Sequence, residues 1–384
     1  MTALDAAQQN KDARSLQWAT RMVFLINGLG MSAWAPLVPF VRDRLSLNGG
    51  VLGALLLCLG IGSLVAMPLT GSLVARLGCR RVMLGSTILI LLMLPLLATL
   101  SWTPGMALAL MLFGAGLGTL DVAMNYQAVE VEKAAGRPMM SGFHAFFSLG
   151  GILGAGTVSL LIGVSLTPLL ATAAVMAVMI VLLLCSLPAT LNERLHQPDQ
   201  PWLVRPRGWV AFLGLLCFIL FLAEGAVLDW GALLLLQNKL VSTAHAGLGY
   251  AVFSIAMTLG RFSGDKVILR FGRYPVMLTG ALAAAVGVAL LVLAPWPALA
   301  LLAFLLLGFG LANTVPMLFN AAGNQQDMPA NLAISAMTTL GYAGILSGPA
   351  LIGFLSQSIG LNSTFLLIAL LLLAVAASAR RVAR

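Results

Sequence analysis

What most constrains this chain is the spacing of its charges. Short hydrophilic breaks separate long uncharged apolar runs such as Val82–Leu94. About 20 apolar residues in a helix cross the hydrocarbon core of a bilayer. Sixty per cent of the 384 residues are hydrophobic and only 9% are charged, against about 25% charged in ordinary globular chains. That composition supplies about a dozen spans and excludes a set of soluble domains. Continuous runs also exclude an outer-membrane barrel, whose strands alternate over segments of about ten residues.

The runs predict helices at 18–41, 49–75, 82–101, 105–129, 140–164, 167–188, 209–236, 244–264, 275–294, 298–321, 333–357 and 362–379. The first 16 residues are polar and show no signal-peptide cleavage pattern, so the first span is expected to stay on the chain. Twelve spans put both termini on one side. With that side inside, eighteen of the 21 Lys and Arg, Arg261 among them, fall in cytoplasmic segments, leaving Arg42, Arg44 and Lys239 outside. The positive-inside rule therefore predicts cytoplasmic termini in a plasma (inner) membrane.

The formal charge of +9 is thereby read as topology. A nucleic-acid surface needs clustered basic residues on a soluble face, and none is present. Cys58, Cys79, Cys185 and Cys217 are scattered, with no CxxC spacing, so neither a disulfide framework nor a metal site is expected. No P-loop, no Ser/His/Asp arrangement and no soluble nucleotide domain appears in the sequence. An enzyme, an ATP-driven pump and a resident cofactor are therefore not expected.

The longest inner break carries Pro198, Pro201 and Pro206. It divides the chain into a tail (1–17), a six-helix bundle (18–188), a linker (189–208), a second bundle (209–380) and a short tail (381–384). An offset of 194 residues relates the bundles: Arg76-Leu-Gly78 returns as Arg270-Phe-Gly272, and Trp102 as Trp296. Gly114-Ala-Gly116-Leu returns as Gly308-Phe-Gly310-Leu, and Gly150 and Gly154 as Gly344 and Gly348. One offset shared by four regions predicts two copies of a six-helix unit. Parallel repeats of this kind are a transporter architecture with the substrate site near the midplane between the halves.

On these residues the chain resembles the major facilitator superfamily. Gly71-Ser-Leu-Val-Ala-Arg76-Leu-Gly78-Cys-Arg80-Arg81 matches most of that superfamily's loop signature, G-x-x-x-D-R-x-G-R-R/K. Gly264-Asp265-Lys266 with Arg270-Phe-Gly272-Arg273 is a weaker second copy. Gly142-Phe-His144, Gly225–Asp229–Trp230 and Gly310-Leu-Ala-Asn313 are similar to a bacterial sugar- or fucose-permease-like branch. The resemblance implies an all-α, twelve-helix membrane fold with an inner gate formed by the signature loops. Three departures stand out. Ala75 replaces the signature aspartate, which removes a latch from the first half and leaves Asp265 to supply one in the second. Cys79 replaces the first arginine after the glycine. No fourth-span arginine occurs near Leu110 or Leu112, so a proton route must use other residues.

Ionisable groups at lipid depth cost a few kcal/mol each and are functional candidates by default. The acids are Asp121 in the fourth span and Glu224 and Asp229 in the seventh. Each is a candidate for proton coupling or substrate contact, with pairing in a packed helix interface as the alternative. A five-residue step turns a helix by about 140°, so Glu224 and Asp229 cannot face the same point. Polar cavity candidates are Asn27, Asn125, Asn313 and Asn320, whose amides suit hydroxyl-rich ligands, together with Trp34 and Trp230. His144 is expected to bond an inner loop, and the Gly114–Gly118 run to serve close helix packing.

The expected function is secondary active transport of a small polar solute, a sugar or related metabolite, by alternating access with proton coupling. Expected partners are the solute, protons and the lipid bilayer, with no nucleic acid, and the protein is expected to act as a monomer. A multidrug/proton antiporter of the same fold is the alternative. A non-transporting membrane receptor is a remoter one.

Overall fold

The computed structural model describes residues 3–192, 201–202, 204–238, 240 and 247–383, with side chains except at 3–12 and 49–50. Linker residues 193–200 and 203, Lys239, the start of the expected eighth span (244–246) and Arg384 lie outside the described residues. Among the described residues there is no strand. The helices are α1 (Ala3–Ala33), α2 (Val38–Arg44), α3 (Gly49–Leu77), α4 (Cys79–Thr99), α5 (Thr103–Ala135), α6 (Met140–Gly163) and α7 (Pro168–Ser186). They continue as α8 (Gly208–Gln237), α9 (Leu248–Phe271), α10 (Arg273–Leu293), α11 (Pro297–Ala312), α12 (Thr314–Asn324), α13 (Ala330–Ile359) and α14 (Leu361–Val382).

Eleven described segments are long and apolar enough to cross a membrane, with α1–α2 and α11–α12 each counting as one. The 24-residue α9 is not among them because it carries Arg261, Asp265, Lys266 and Arg270. Both breaks within spans have a proline behind them. A short 3-10 turn, Ala35–Leu37, separates α1 from α2 at Pro36 and Pro39. Asn313, at φ −107° and ψ −7°, separates α11 from α12, where Pro316 lacks the N–H that would continue the helix. The first and tenth expected spans are thus bent elements rather than single rods. The helix of the first span also reaches back to Ala3, through the segment expected as a tail.

The offset of 194 residues recurs at the level of atoms. Helices α4 and α10 have matching bounds, as do the ends of α3 and α9. Gly78 and Gly272 join them with φ of 86° and 85°, a left-handed conformation that glycine adopts at no steric cost. A Cβ placed on Gly114 of α5 would meet the Leu59 carbonyl oxygen of α3, and one on Gly308 of α11 would meet the Phe253 carbonyl oxygen of α9. Gly116 likewise approaches Ser86 and Ile90 of α4, while Gly310 approaches Gly280 and Ala284 of α10. All of these pairs differ by the same 194. Such contacts let helix backbones touch, the main source of packing between helices in lipid. Ser63 Oγ adds a bond to the Gly114 carbonyl at 2.8 Å.

The chain forms two compact units. Unit 1 is Met1–Gly136, Phe146–Arg205 and Pro329–Ser335; unit 2 is Arg137–Ala145, Pro206–Met328 and Ala336–Arg384. Each unit therefore takes up the first residues of a helix, α6 or α13, whose remainder belongs to the other. Within unit 2, Asp265 of α9 receives the first turn of α6. Its Oδ1 accepts from the Ser141 N–H at 3.0 Å and its Oδ2 from the Gly142 N–H at 2.8 Å. A carboxylate there satisfies donors that have no partner inside the helix and complements the helix dipole.

In unit 1 the matching position is Gly71, and the arrangement is neutral. Asn331 Nδ2 donates to the Gly71 carbonyl at 2.7 Å, and Ser335 Oγ to the Met67 carbonyl at 2.6 Å. Arg44 does the converse of Asp265 at the end of α4: its guanidinium bonds the Leu97, Ala98 and Leu100 carbonyls.

Two predictions follow from this packing. Gly114→Ala and Gly308→Ala should each lower stability by about 1–3 kcal/mol through overpacking, whereas Gly156→Ala, with nothing within 4 Å of the added carbon, should not. Thermal unfolding of detergent-purified protein distinguishes them. By the same measurement, Asp265→Ala should cost about 0.5–2 kcal/mol, the usual range for a lost N-terminal cap. Asp265→Asn, which keeps one acceptor, should cost less.

Candidate functional site

In unit 1 the expected polar residues gather on α1 and α5. Asn27 is buried. Its Nδ2 points at Met124 Sδ, 3.6 Å away, and its Oδ1 has no hydrogen-bond partner among the described residues. Trp34 is buried where α1 gives way to the 3-10 turn. Asp121 and Asn125 lie one turn apart on α5, and both are buried. Asn125 Nδ2 bonds the Asp121 main-chain carbonyl at 2.9 Å and stands 3.5 Å from the carboxylate Oδ1. Among the described residues no cation faces that carboxylate. Two residues beyond Asn125, Gln127 Nε2 donates to Thr20 Oγ1 at 2.9 Å.

The signature loop of unit 1 is bound to the start and end of the linker. Arg80 bonds the Pro188 and Thr190 carbonyls at 2.7 and 2.6 Å. Its backbone N–H reaches the Leu191 carbonyl at 2.9 Å, and Gln127 Oε1 accepts from the Leu191 N–H at 3.0 Å. Arg76 stacks on the Trp202 ring, 3.8 Å from its centroid, and Ser72 Oγ donates to the Pro201 carbonyl at 2.7 Å. Arg81 is exposed. In unit 2, Arg270 and Arg273 are exposed on either side of Gly272.

Unit 2 holds the larger cluster of ionisable side chains. Glu224 on α8 is half-buried and Asp229 is exposed. Trp230 packs its ring about 3.5 Å from the Cβ direction of Gly353 and buries an indole Nε1 that has no hydrogen-bond partner among the described residues. Asn313, at the α11–α12 break, donates from Nδ2 to the Gly260 carbonyl at 3.3 Å, while its Oδ1, packed against Gly264, has no hydrogen-bond partner among the described residues. Asn320 is buried on α12, with its main-chain carbonyl accepting from Asn324 Nδ2 at 2.8 Å. His144 is buried beside Phe319, the ring centroids 5.5 Å apart.

The residue that sequence reasoning missed is Arg261. Charge counting places it with the inner breaks, yet it is only 6% exposed and lies on the buried face of α9 with Gly260 and Gly264. It is in Coulombic reach of Glu224 and Tyr250, and His144 is in turn in reach of Arg261. A signal was available. Its partner at an offset of 194 is Met67, which is fully buried, so the same framework is built once with a methionine and once with an arginine. Under the same offset Glu224 faces Gly30, Asp121 faces Val315 and Asn27 faces Phe221.

A sequence model of the Major Facilitator Superfamily matches residues 22–325. An uncharacterized MFS-type transporter of Yersinia pestis is 54% identical over 370 residues, covering 96% of each chain. The membrane protein MosC of Rhizobium meliloti is 30% identical over 365 residues, covering 91% of this chain and 86% of MosC.

Among solved structures, the E. coli fucose:proton symporter FucP aligns with a TM-score of 0.74 at 16% identity over 96% of this chain and 98% of its own. The proton:xylose symporter XylE gives 0.76 at 13% identity over 97% and 96%. The human organic anion transporter TETRAN gives 0.75 at 16% identity over 96% and 99%. At these identities the three structures establish the fold alone. With a family match over most of its length and relatives that span it nearly end to end, the chain belongs to the Major Facilitator Superfamily of multi-pass inner-membrane transporters.

Proposed function

We propose that the protein is a secondary active transporter that moves a small polar solute by alternating access, with proton coupling through carboxyls at lipid depth. In this reading α9 is the eighth of twelve spans, charged because it carries part of the site. Both termini are cytoplasmic, the two halves run 18–188 and 209–380 about the 189–208 linker, and the protein acts as a monomer.

One observation carries the proposal. Asp121, Glu224 and Arg261 stand at places where the other copy of the duplicated framework has Val315, Gly30 and Met67. The architecture does not need these charges, and each is costly in a bilayer. We read them as kept for function. Asp121, buried with no cation facing it among the described residues, and Glu224, in reach of Arg261, are the proposed proton sites.

The buried amide oxygens of Asn27 and Asn313 and the indole N–H of Trp230 favour a polar solute over an apolar drug. A buried polar atom without a partner costs about 1–3 kcal/mol, which a ligand hydroxyl or carbonyl can recover. FucP and XylE are proton symporters of sugars and TETRAN carries organic anions; they support coupled transport of a polar solute and leave its identity open. The signature loops, with Gly71, Arg76, Gly78, Arg80 and Arg81 in one copy and Asp265, Arg270, Gly272 and Arg273 in the other, are the proposed inner gate. Asp265 supplies the charged latch that Ala75 removes from the first copy.

The reading is tested in proteoliposomes with an imposed pH gradient, using a solute identified by thermal stabilisation across sugars, amino acids, carboxylates and cationic drugs. Asp121→Asn and Glu224→Gln should each reduce gradient-driven flux by about tenfold or more, the scale expected when an essential proton-transfer group is lost, while the melting temperature is kept. Asp229→Asn, at an exposed position, should retain most of it. Full flux in both of the first two variants would refute the proposed coupling sites.

A further inference from the structure

Arg44 closes a helix to which it does not belong. The last carbonyls of an α-helix have no partner inside it and carry the negative end of its dipole. At the end of α4, the Arg44 guanidinium bonds three of these carbonyls, with Nη2 3.0 Å from that of Leu97, Nη1 on that of Ala98 and Nε 2.9 Å from that of Leu100. Arg44 is itself the last residue of α2, a helix of only seven residues. Isolated helices shorter than about 12–15 residues are marginal in water, so α2 depends on what it packs against. Leu37, Val41 and Arg44 follow one another at the spacing of a single helix face, and the first two are buried. Phe40, Arg42 and Asp43 are exposed, and Arg42 pairs with its neighbour Asp43, which ties α2 to nothing else. Among the described residues, Arg44 is thus the side chain of α2 that hydrogen-bonds beyond its own segment.

Both ends of α2 are turns. Ahead of it lies the 3-10 turn, where Pro36 and Pro39 lack the N–H groups that would join α2 to α1. Behind it the chain turns through Ser46, at φ 50°, before Asn48 caps α3 by accepting from the Val51 N–H at 2.9 Å. The second copy of the framework has neither the break nor the arginine. An offset of 194 carries Pro36, Pro39 and Arg44 to Trp230, Leu233 and Asn238, and α8 runs unbroken from Gly208 to Gln237. Helix α10 nevertheless ends where α4 does in the shared numbering, at Leu293 against Thr99. The open carbonyl end is therefore common to both copies, whereas the broken span and the arginine occur together in one.

We propose that α2 is a hinged flap at the outer end of the first span and that Arg44 is the clamp holding it shut. Arg44 is a positioning residue in this account. Its three bonds, each strengthened by its charge, are lost together when α2 lifts from α4, so the flap opens as a unit and rarely. The hinge starts at Trp34, whose carbonyl accepts from the Leu37 N–H at 2.9 Å. A swing of α2 thus acts directly on the segment that holds this cavity candidate and sets its access from outside. The inference rests on the transporter reading above for one point, the cytoplasmic termini that place α2 at the outer surface.

The test is the alkylation rate of a buried reporter on the flap. Val41→Cys, at a position 1% exposed, is introduced into full-length protein whose Cys58, Cys79, Cys185 and Cys217 are replaced by alanine. A membrane-impermeant maleimide is added to intact cells and, separately, to broken membranes. With Arg44 present the reporter should react slowly. Arg44→Gln should speed it by about tenfold or more, the scale of losing one or two hydrogen bonds to a charged group. Arg44→Lys, which keeps the charge without the fork and so guards against a variant that does not fold, should fall between. A second reporter, Val288→Cys, equally buried on α10, should be unaffected by Arg44→Gln.

The deciding variant adds Pro36→Ala and Pro39→Leu to Arg44→Gln. A span without its break needs no clamp, so Val41→Cys should again react within about threefold of its rate with Arg44 present, less than the effect of one such bond. Unchanged reactivity in both Arg44 variants, equal acceleration at Val41→Cys and Val288→Cys, or fast reaction that persists without the prolines would each overturn the proposal. Reaction confined to broken membranes would overturn the outer placement together with the orientation reading, and the effect of Arg44→Gln in those membranes judges the clamp separately.

Discussion

Everything polar in this protein is arranged around the cost of placing it in hydrocarbon. Backbone groups are satisfied inside helices, and the close approach of those helices at glycines such as Gly114 and Gly308 substitutes for a hydrophobic driving force that lipid does not supply. Several polar side chains are used near helix termini, where orphan groups need partners. Asp265 closes the first turn of α6 and Arg44 closes the last turn of α4. Asn331 and Ser335 bond the Gly71 and Met67 carbonyls.

A duplicated framework makes functional charge visible. Where both copies keep a residue, as at Gly78 and Gly272 or Trp102 and Trp296, the architecture demands it: the glycines adopt a left-handed turn and the tryptophans precede α5 and α11. Where one copy has a charge and the other has Met67, Gly30 or Val315, the repeat itself does not call for the charge. Arg261, Glu224 and Asp121 pass this filter together. At Gly71 unit 1 has a neutral hydrogen bond and at Asp265 unit 2 has a charged one, so the same asymmetry extends to the signature loops.

The helices and the duplication were legible in the sequence because both depend on residue type and spacing alone. Apolar runs of bilayer length and an offset of 194 need no knowledge of facing partners. What stayed hidden depends on which way a side chain points. Counting Arg261 with the inner breaks used its position along the chain, whereas the structure turns it onto the buried face of α9. Arg44 was counted as an outer charge, but it bonds three carbonyls at a helix end. The breaks at Pro36 and at Asn313 ahead of Pro316 were readable from proline chemistry, although the runs around them look continuous. The exchange of the first residues of α6 and α13 between units has no local signature, since it is a property of tertiary packing.

The account's central claim is that Arg261 and Glu224 are a functional pair placed on a framework that does not require them. A double-mutant cycle on thermodynamic stability tests it most directly, with Arg261→Met, Glu224→Gln and the two combined. Leaving one buried charge uncompensated typically costs about 3–5 kcal/mol, whereas removing both members of a coupled pair is close to neutral. The account predicts that Arg261→Met is strongly destabilising and that adding Glu224→Gln restores most of the loss. Additive effects of the two substitutions would contradict it.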